Sequence, residues 1–104
     1  MKITELIKIL DAKVISMPQQ DIEISGGYCG DLLSFVMGRA PEKCAWFTIM
    51  NNANVAAVAA LADIGVVVLC ENVQPDGHLL KAVKNKEIAL IVTALPIFEA
   101  ARKI

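Results

Sequence analysis

Cys44-Ala45-Trp46-Phe47-Thr48-Ile49-Met50, then Asn51-Asn52-Ala53-Asn54, then Val55-Ala56-Ala57-Val58-Ala59-Ala60-Leu61-Ala62 is the stretch that decides the fold. The first run is almost continuously apolar, as a strand buried on both faces requires. The asparagines form a polar loop. The alanine-rich run has no polar side until Asp63 and reads as a helix covered nearly all round. Downstream the order repeats. Ile64 to Cys70 is a second central strand, and Glu71-Asn72-Val73-Gln74 leads to Pro75-Asp76, a good first helical turn. Leu79, Leu80 and Val83 then face inward, while Lys81, Lys84 and Lys86 face water. Ile88 to Val92 is a third strand, and Thr93-Ala94-Leu95-Pro96 opens a last helix to Arg102. Consecutive strand-loop-helix units predict an α/β layered sandwich with a mostly parallel sheet and helices on both faces.

Upstream of this repeat, Ile3, Leu6, Ile7 and Leu10 recur at helical spacing with charged residues between them. Lys13 to Met17 and Ile22 to Ile24 read as two short strands, separated by Pro18 and the polar Gln19-Gln20-Asp21. Ser25-Gly26-Gly27-Tyr28-Cys29-Gly30 reads as a glycine turn, with Asp31 at the N-terminus of a two-turn helix through Met37 that Gly38 caps. Such a junction serves either close packing or an anion held on backbone N–H groups. It has one glycine too few for a dinucleotide fingerprint and no lysine for a P-loop.

The chain of 104 residues is long enough for one domain with a core that needs no metal or disulfide staple. Ten basic and eleven acidic side chains leave a net charge of −1, which gives no attraction to nucleic acid or anionic lipid. Val55 to Cys70, broken by Asp63, falls short of a membrane span, and the N-terminus has no signal-peptide pattern. Three cysteines without a CxxC fit a reducing compartment, so the expected location is cytoplasmic.

The segments Ser25-Gly26-Gly27-Tyr28 and Gly30-Asp31-Leu32-Leu33-Ser34 resemble the motif region of DRTGG-domain proteins. Ala45 to Met50, Asn54 to Ala59 and Thr93 to Glu99 are also similar to small stand-alone members of that family. The resemblance spans nearly the whole chain and implies a fold like the N-terminal domain of HPr kinase/phosphorylase. It also implies a regulatory module that accompanies catalysis without performing it, and for some stand-alone copies a role accessory to an iron-only hydrogenase or a signalling system. The family's name-giving Asp-Arg pair is absent, Ser25 stands for its threonine, and Ala94 replaces an acidic residue.

Cys29, Cys44, Cys70 and His78 lack the paired spacing of zinc or iron–sulfur ligands, so neither a metal nor another cofactor is expected. Asp31, Asp63, Glu71 and Asp76 form no acid/base pair. The polar loops follow strand C-terminal ends, where open α/β sheets bind ligands. The expected ligand residues are Gly26, Gly27, Tyr28, Asp31, Ser34, Asn51, Asn52, Asn54, Glu71 and Thr93, taking a nucleotide or small anionic metabolite. The ordinary role of Asn51, Asn52 and Asn54 is to cap the alanine-rich helix and shape its turn, and their amides also suit reading a ligand edge. The leading reading is a homodimeric, non-catalytic ligand-binding or partner-docking module, its dimer covering the apolar helix. Two alternatives stand beside it: a small enzyme using Cys29 or His78, and a purely structural dimeric interaction protein.

Overall fold

A computed structural model describes residues 1–104. The elements run α1 (Ile3–Ile9), β1 (Lys13–Ser16), β2 (Gly27–Cys29), α2 (Leu33–Arg39), β3 (Ala45–Thr48), α3 (Asn54–Leu61), β4 (Val66–Leu69), α4 (Gly77–Asn85), β5 (Leu90–Val92) and α5 (Ile97–Ala101). The five strands form one sheet in the order β1-β5-β4-β3-β2. β2, β3, β4 and β5 are parallel, and β1 adds antiparallel to β5.

The continuous apolar runs resolve into two faces because side chains alternate along a strand. Trp46, Val67, Leu69, Leu90 and Val92 join Val36 of α2, Val55, Ala56, Val58 and Ala59 of α3, and Leu79 and Val83 of α4. On the other face Phe47, Val66, Val68 and Ile91 pack with Ile3 and Leu6 of α1 and Ala100 of α5. The architecture is a three-layer α/β sandwich with a mostly parallel sheet, as the apolar pattern implies. The chain crosses from β2 to β5 one strand at a time with α2, α3 and α4 all on one face, as crossovers of a single hand require.

Several local expectations are corrected. The strand placed at Ile22 to Ile24 is not one; Glu23 makes an isolated bridge to Lys2, and the strand lies inside the glycine stretch. Gly27-Tyr28-Cys29 pairs in parallel with Ala45-Trp46-Phe47, so this segment is a sheet edge and not a tight turn. Glycine costs strand stability, but the ladder to β3 and the apolar cover outweigh that local preference. Gly38 lies within α2, which ends at Ala40 instead. α3 is not covered all round: Val55, Ala56, Val58 and Ala59 are buried, while Ala57, Ala60 and Leu61 face solvent. Its outer side is apolar because alanine favours a helix wherever it points.

Candidate functional site

Parallel strands send all their C-terminal ends to one edge, so Gly30-Asp31, Thr48 to Asn54, Cys70 to Gln74 and Thr93 to Leu95 meet there. Asp31 does not cap α2. Its carboxylate accepts the Thr48 hydroxyl at 2.6 Å and the Ile49 N–H at 3.0 Å, tying the exit of β2 to the exit of β3. Asn51 donates from Nδ2 to the Gln74 carbonyl at 2.9 Å and accepts the Asp76 N–H on its own carbonyl at 3.0 Å. Asn52 Oδ1 accepts the Asn54 N–H at 3.0 Å, while Ala53, the residue before α3, makes no side-chain cap. Of the three asparagines only Asn52 shapes the helix start through its side chain; Asn51 joins two loops.

Glu71 and Asn72, with φ of 58° and 57°, form the corner of a tight turn in which Val73 N–H meets the Cys70 carbonyl at 3.1 Å. Their own N–H groups donate to the Leu95 and Thr93 carbonyls at 2.9 and 2.8 Å. These donors are therefore committed to the β5 exit loop. Thr93 is buried, donates to the Leu10 carbonyl at 2.9 Å and accepts the Leu95 N–H at 3.3 Å. It closes the loop onto α1, with its hydroxyl engaged on both sides by backbone groups.

A shallow cavity of about 230 Å³ opens on this edge between the starts of α3 and α4, lined by Asn52, Ala53, Asn54, Asp76 and His78. Asp76 is engaged as the cap of α4, accepting the Leu79 N–H at 2.8 Å. His78 is exposed beside the asparagines. The sequence alone does not join His78 to them, because that proximity depends on strand order.

Gly26 and Gly27 belong elsewhere. They lie at the N-terminal end of β2, on the opposite edge, in a cavity of about 310 Å³ with Met1, Ile24, Ser25 and Ile104. A strand cannot offer both ends to one site, so the expected set divides. Tyr28, halfway along, packs its half-buried ring on the face of α2, α3 and α4. Ser34, in the first turn of α2, is exposed on the C-terminal edge. A further cavity of about 310 Å³ on the N-terminal edge, missed in the sequence, is lined by Pro18, Gln20, Lys43, Asp63, Lys86 and Glu87 among others. Lys43 and Asp63 pair there at 3.1 Å, both half-exposed.

No three His, Cys, Asp or Glu side chains are gathered to hold a metal ion. Desolvation raises the Cys29 thiol above its ordinary value, opposite to the shift that a nucleophile at a helix N-terminus needs. Burial pushes Cys44 up to about 11 and Cys70 up to about 12.

No family model matches the sequence, and no curated protein matches it. Among solved structures, the chain is similar to the CBS and DRTGG domains of the regulatory region of Clostridium perfringens pyrophosphatase, a structure complexed with the activator diadenosine tetraphosphate. The TM-score is 0.80 at 13% identity, over 96% of this chain and 44% of that one. The chain thus spans less than half the length of that regulatory region. No helix is long and apolar enough to cross a membrane. In fold, the chain is a DRTGG-like α/β domain.

Proposed function

We propose that residues 1–104 act as one non-catalytic regulatory module, homodimeric and cytoplasmic, that binds a nucleotide or related small anionic metabolite. The observation that carries this reading is the fold shared with a pyrophosphatase regulatory region complexed with a dinucleoside tetraphosphate. The C-terminal edge supports it locally: Asn52, Asn54 and His78 line a cavity at the starts of α3 and α4, where helix dipoles favour negative charge. The ligand state would be passed to a partner enzyme, which the sequence resemblance suggests is an iron-only hydrogenase or a component of a signalling system.

Isothermal titration calorimetry and thermal melting with diadenosine tetraphosphate, ATP, AMP and acetyl phosphate test the ligand. Saturable heat from at least one is expected, with stabilisation of about 2.7 kcal/mol at a hundred times its dissociation constant. His78→Ala and Asn54→Ala are expected to weaken that ligand without lowering the melting temperature of the free protein. Neither heat nor a melting shift with any of the four would overturn the ligand reading.

A further inference from the structure

The two edges of the sheet are finished differently. β1 carries Lys13, a register shift between Val14 and Ser16, and Pro18 just beyond its end. Each of these discourages another strand from adding. β2 has none of them: Gly27-Tyr28-Cys29, between Gly26 and Gly30, carries no charge, proline or bulge. Its bonds to β3 use alternate residues. The Gly26 carbonyl accepts the Ala45 N–H at 2.8 Å, the Gly30 N–H donates to the Phe47 carbonyl at 3.2 Å, and Tyr28 completes the parallel ladder between them. The N–H and C=O of Gly27 and Cys29 therefore point away from the sheet, and both residues are exposed.

We infer that β2 pairs antiparallel with β2 of a second copy about a two-fold axis at Tyr28. This rests on the homodimer reading above and gives that dimer its interface. In this register Gly27 lies opposite the second copy's Cys29 and exchanges both bonds with it, twice over by symmetry. Four hydrogen bonds then satisfy every outward backbone group of both strands. The two Tyr28 residues meet as a non-hydrogen-bonded cross-strand pair, the arrangement in which facing side chains come closest. A longer strand running past Gly27 would find no donor at Ser25, whose N–H is given to the Lys43 carbonyl at 3.0 Å. A three-residue edge is matched by another of the same length. The missing side chain at Gly27 leaves room for the opposing cysteine, and Ile104, whose Cδ1 would lie 2.9 Å from a Cβ at Gly27, brings an exposed apolar side chain to the seam.

Sedimentation equilibrium over a broad concentration range, with backbone hydrogen exchange, tests this. The wild type is expected to be a dimer, with the Gly27 and Cys29 amides more protected at high concentration. Cys29→Pro removes an outward N–H without touching the β3 ladder and should weaken the dimer roughly tenfold or more. Cys29→Lys, which keeps the N–H but places a charge at the seam, should weaken it as well and serves if the proline variant fails to fold. Cys29→Ser should leave the dimer intact. A wild type that stays monomeric overturns both the dimer and its interface. A dimer that survives Cys29→Pro or Cys29→Lys but is lost in Leu61→Asp overturns the β2 interface alone and moves the contact to α3.

Discussion

Asp31 is exposed, yet it accepts two hydrogen bonds that hold the exits of β2 and β3 together, one of them from the buried Thr48. Asp31→Ala leaves that hydroxyl and the Ile49 N–H without their acceptor and should cost about 1–2 kcal/mol in urea unfolding. Asp31→Asn keeps one carbonyl oxygen and should cost less than half as much. At the other end of the molecule, Asp21 accepts the Thr4 hydroxyl at 2.6 Å and its N–H at 3.1 Å, and the hydroxyl is the main cause that holds its pKa below 3.8. A carboxyl depressed in the folded state stabilises above its unfolded pKa, and that contribution is lost as pH falls through the lower folded value. Asp21→Asn should therefore flatten the stability curve below about pH 4 and leave it unchanged in slope near neutrality. The thiols give a third check. Native protein at neutral pH should react with a thiol reagent only at Cys29, more slowly than free cysteine, while Cys44 and Cys70 react only after denaturation. The sequence shows that Asp31 follows the glycines; it cannot show that its partners lie on β3, seventeen residues away in sequence.

Helix endings show how a residue pattern and a backbone requirement can part company. α1, α3 and α4 each end in a left-handed residue, Asp11, Asp63 and Glu87, with φ of 48°, 54° and 56°. The amide that follows closes each turn: Ala12 N–H to the Ile7 carbonyl at 3.0 Å, Ile64 to Ala59 at 2.9 Å, and Ile88 to Val83 at 2.9 Å. This is the closure that glycine normally makes possible, here carried by acidic residues that also oppose the helix dipole. Scanning for a glycine stop therefore finds nothing at these ends, and it is drawn instead to Gly38, which lies inside α2. Glu87→Gly should stabilise by about 0.5–1 kcal/mol, read as a higher urea midpoint with unchanged slope, because glycine relieves the left-handed cost. Gly65 behaves in the opposite way. A Cβ there would lie 2.6 Å from the Lys43 carbonyl oxygen, a backbone atom that cannot step aside. Gly65→Ala should cost about 2 kcal/mol or more in the same measurement.

Across the whole molecule, Trp46 reports on the packing of the sheet against α2, α3 and α4. It is the single tryptophan, fully buried, with its indole N–H donated to the Gly30 carbonyl at 2.9 Å. Its emission should be that of a buried indole and should shift red in one cooperative step that coincides with the loss of helical circular dichroism. The layered architecture was legible in the sequence because burial leaves a local signature: doubly covered strands need uninterrupted apolar runs, and helices on a sheet need an apolar stripe. Cys44 to Met50, Ile64 to Cys70 and Ile88 to Val92 carried it, and each contains the strand found. The edges did not leave such a mark. Gly27-Tyr28-Cys29 becomes a strand only because β3 is beside it, and glycine's weak local preference gives no warning. The same holds for the site. Which residues are polar and follow strands is written in the chain, but β2 sends Gly26 and Gly27 to one edge and Asp31 to the other, while His78 reaches Asn52 and Asn54 only through the order of β3 and β4. Sequence alone thus determined the class of fold, since hydrophobic periodicity is a property of neighbouring residues. Tertiary structure decided which end of each strand faces which neighbour, because strand order and register arise from contacts between residues far apart in the chain.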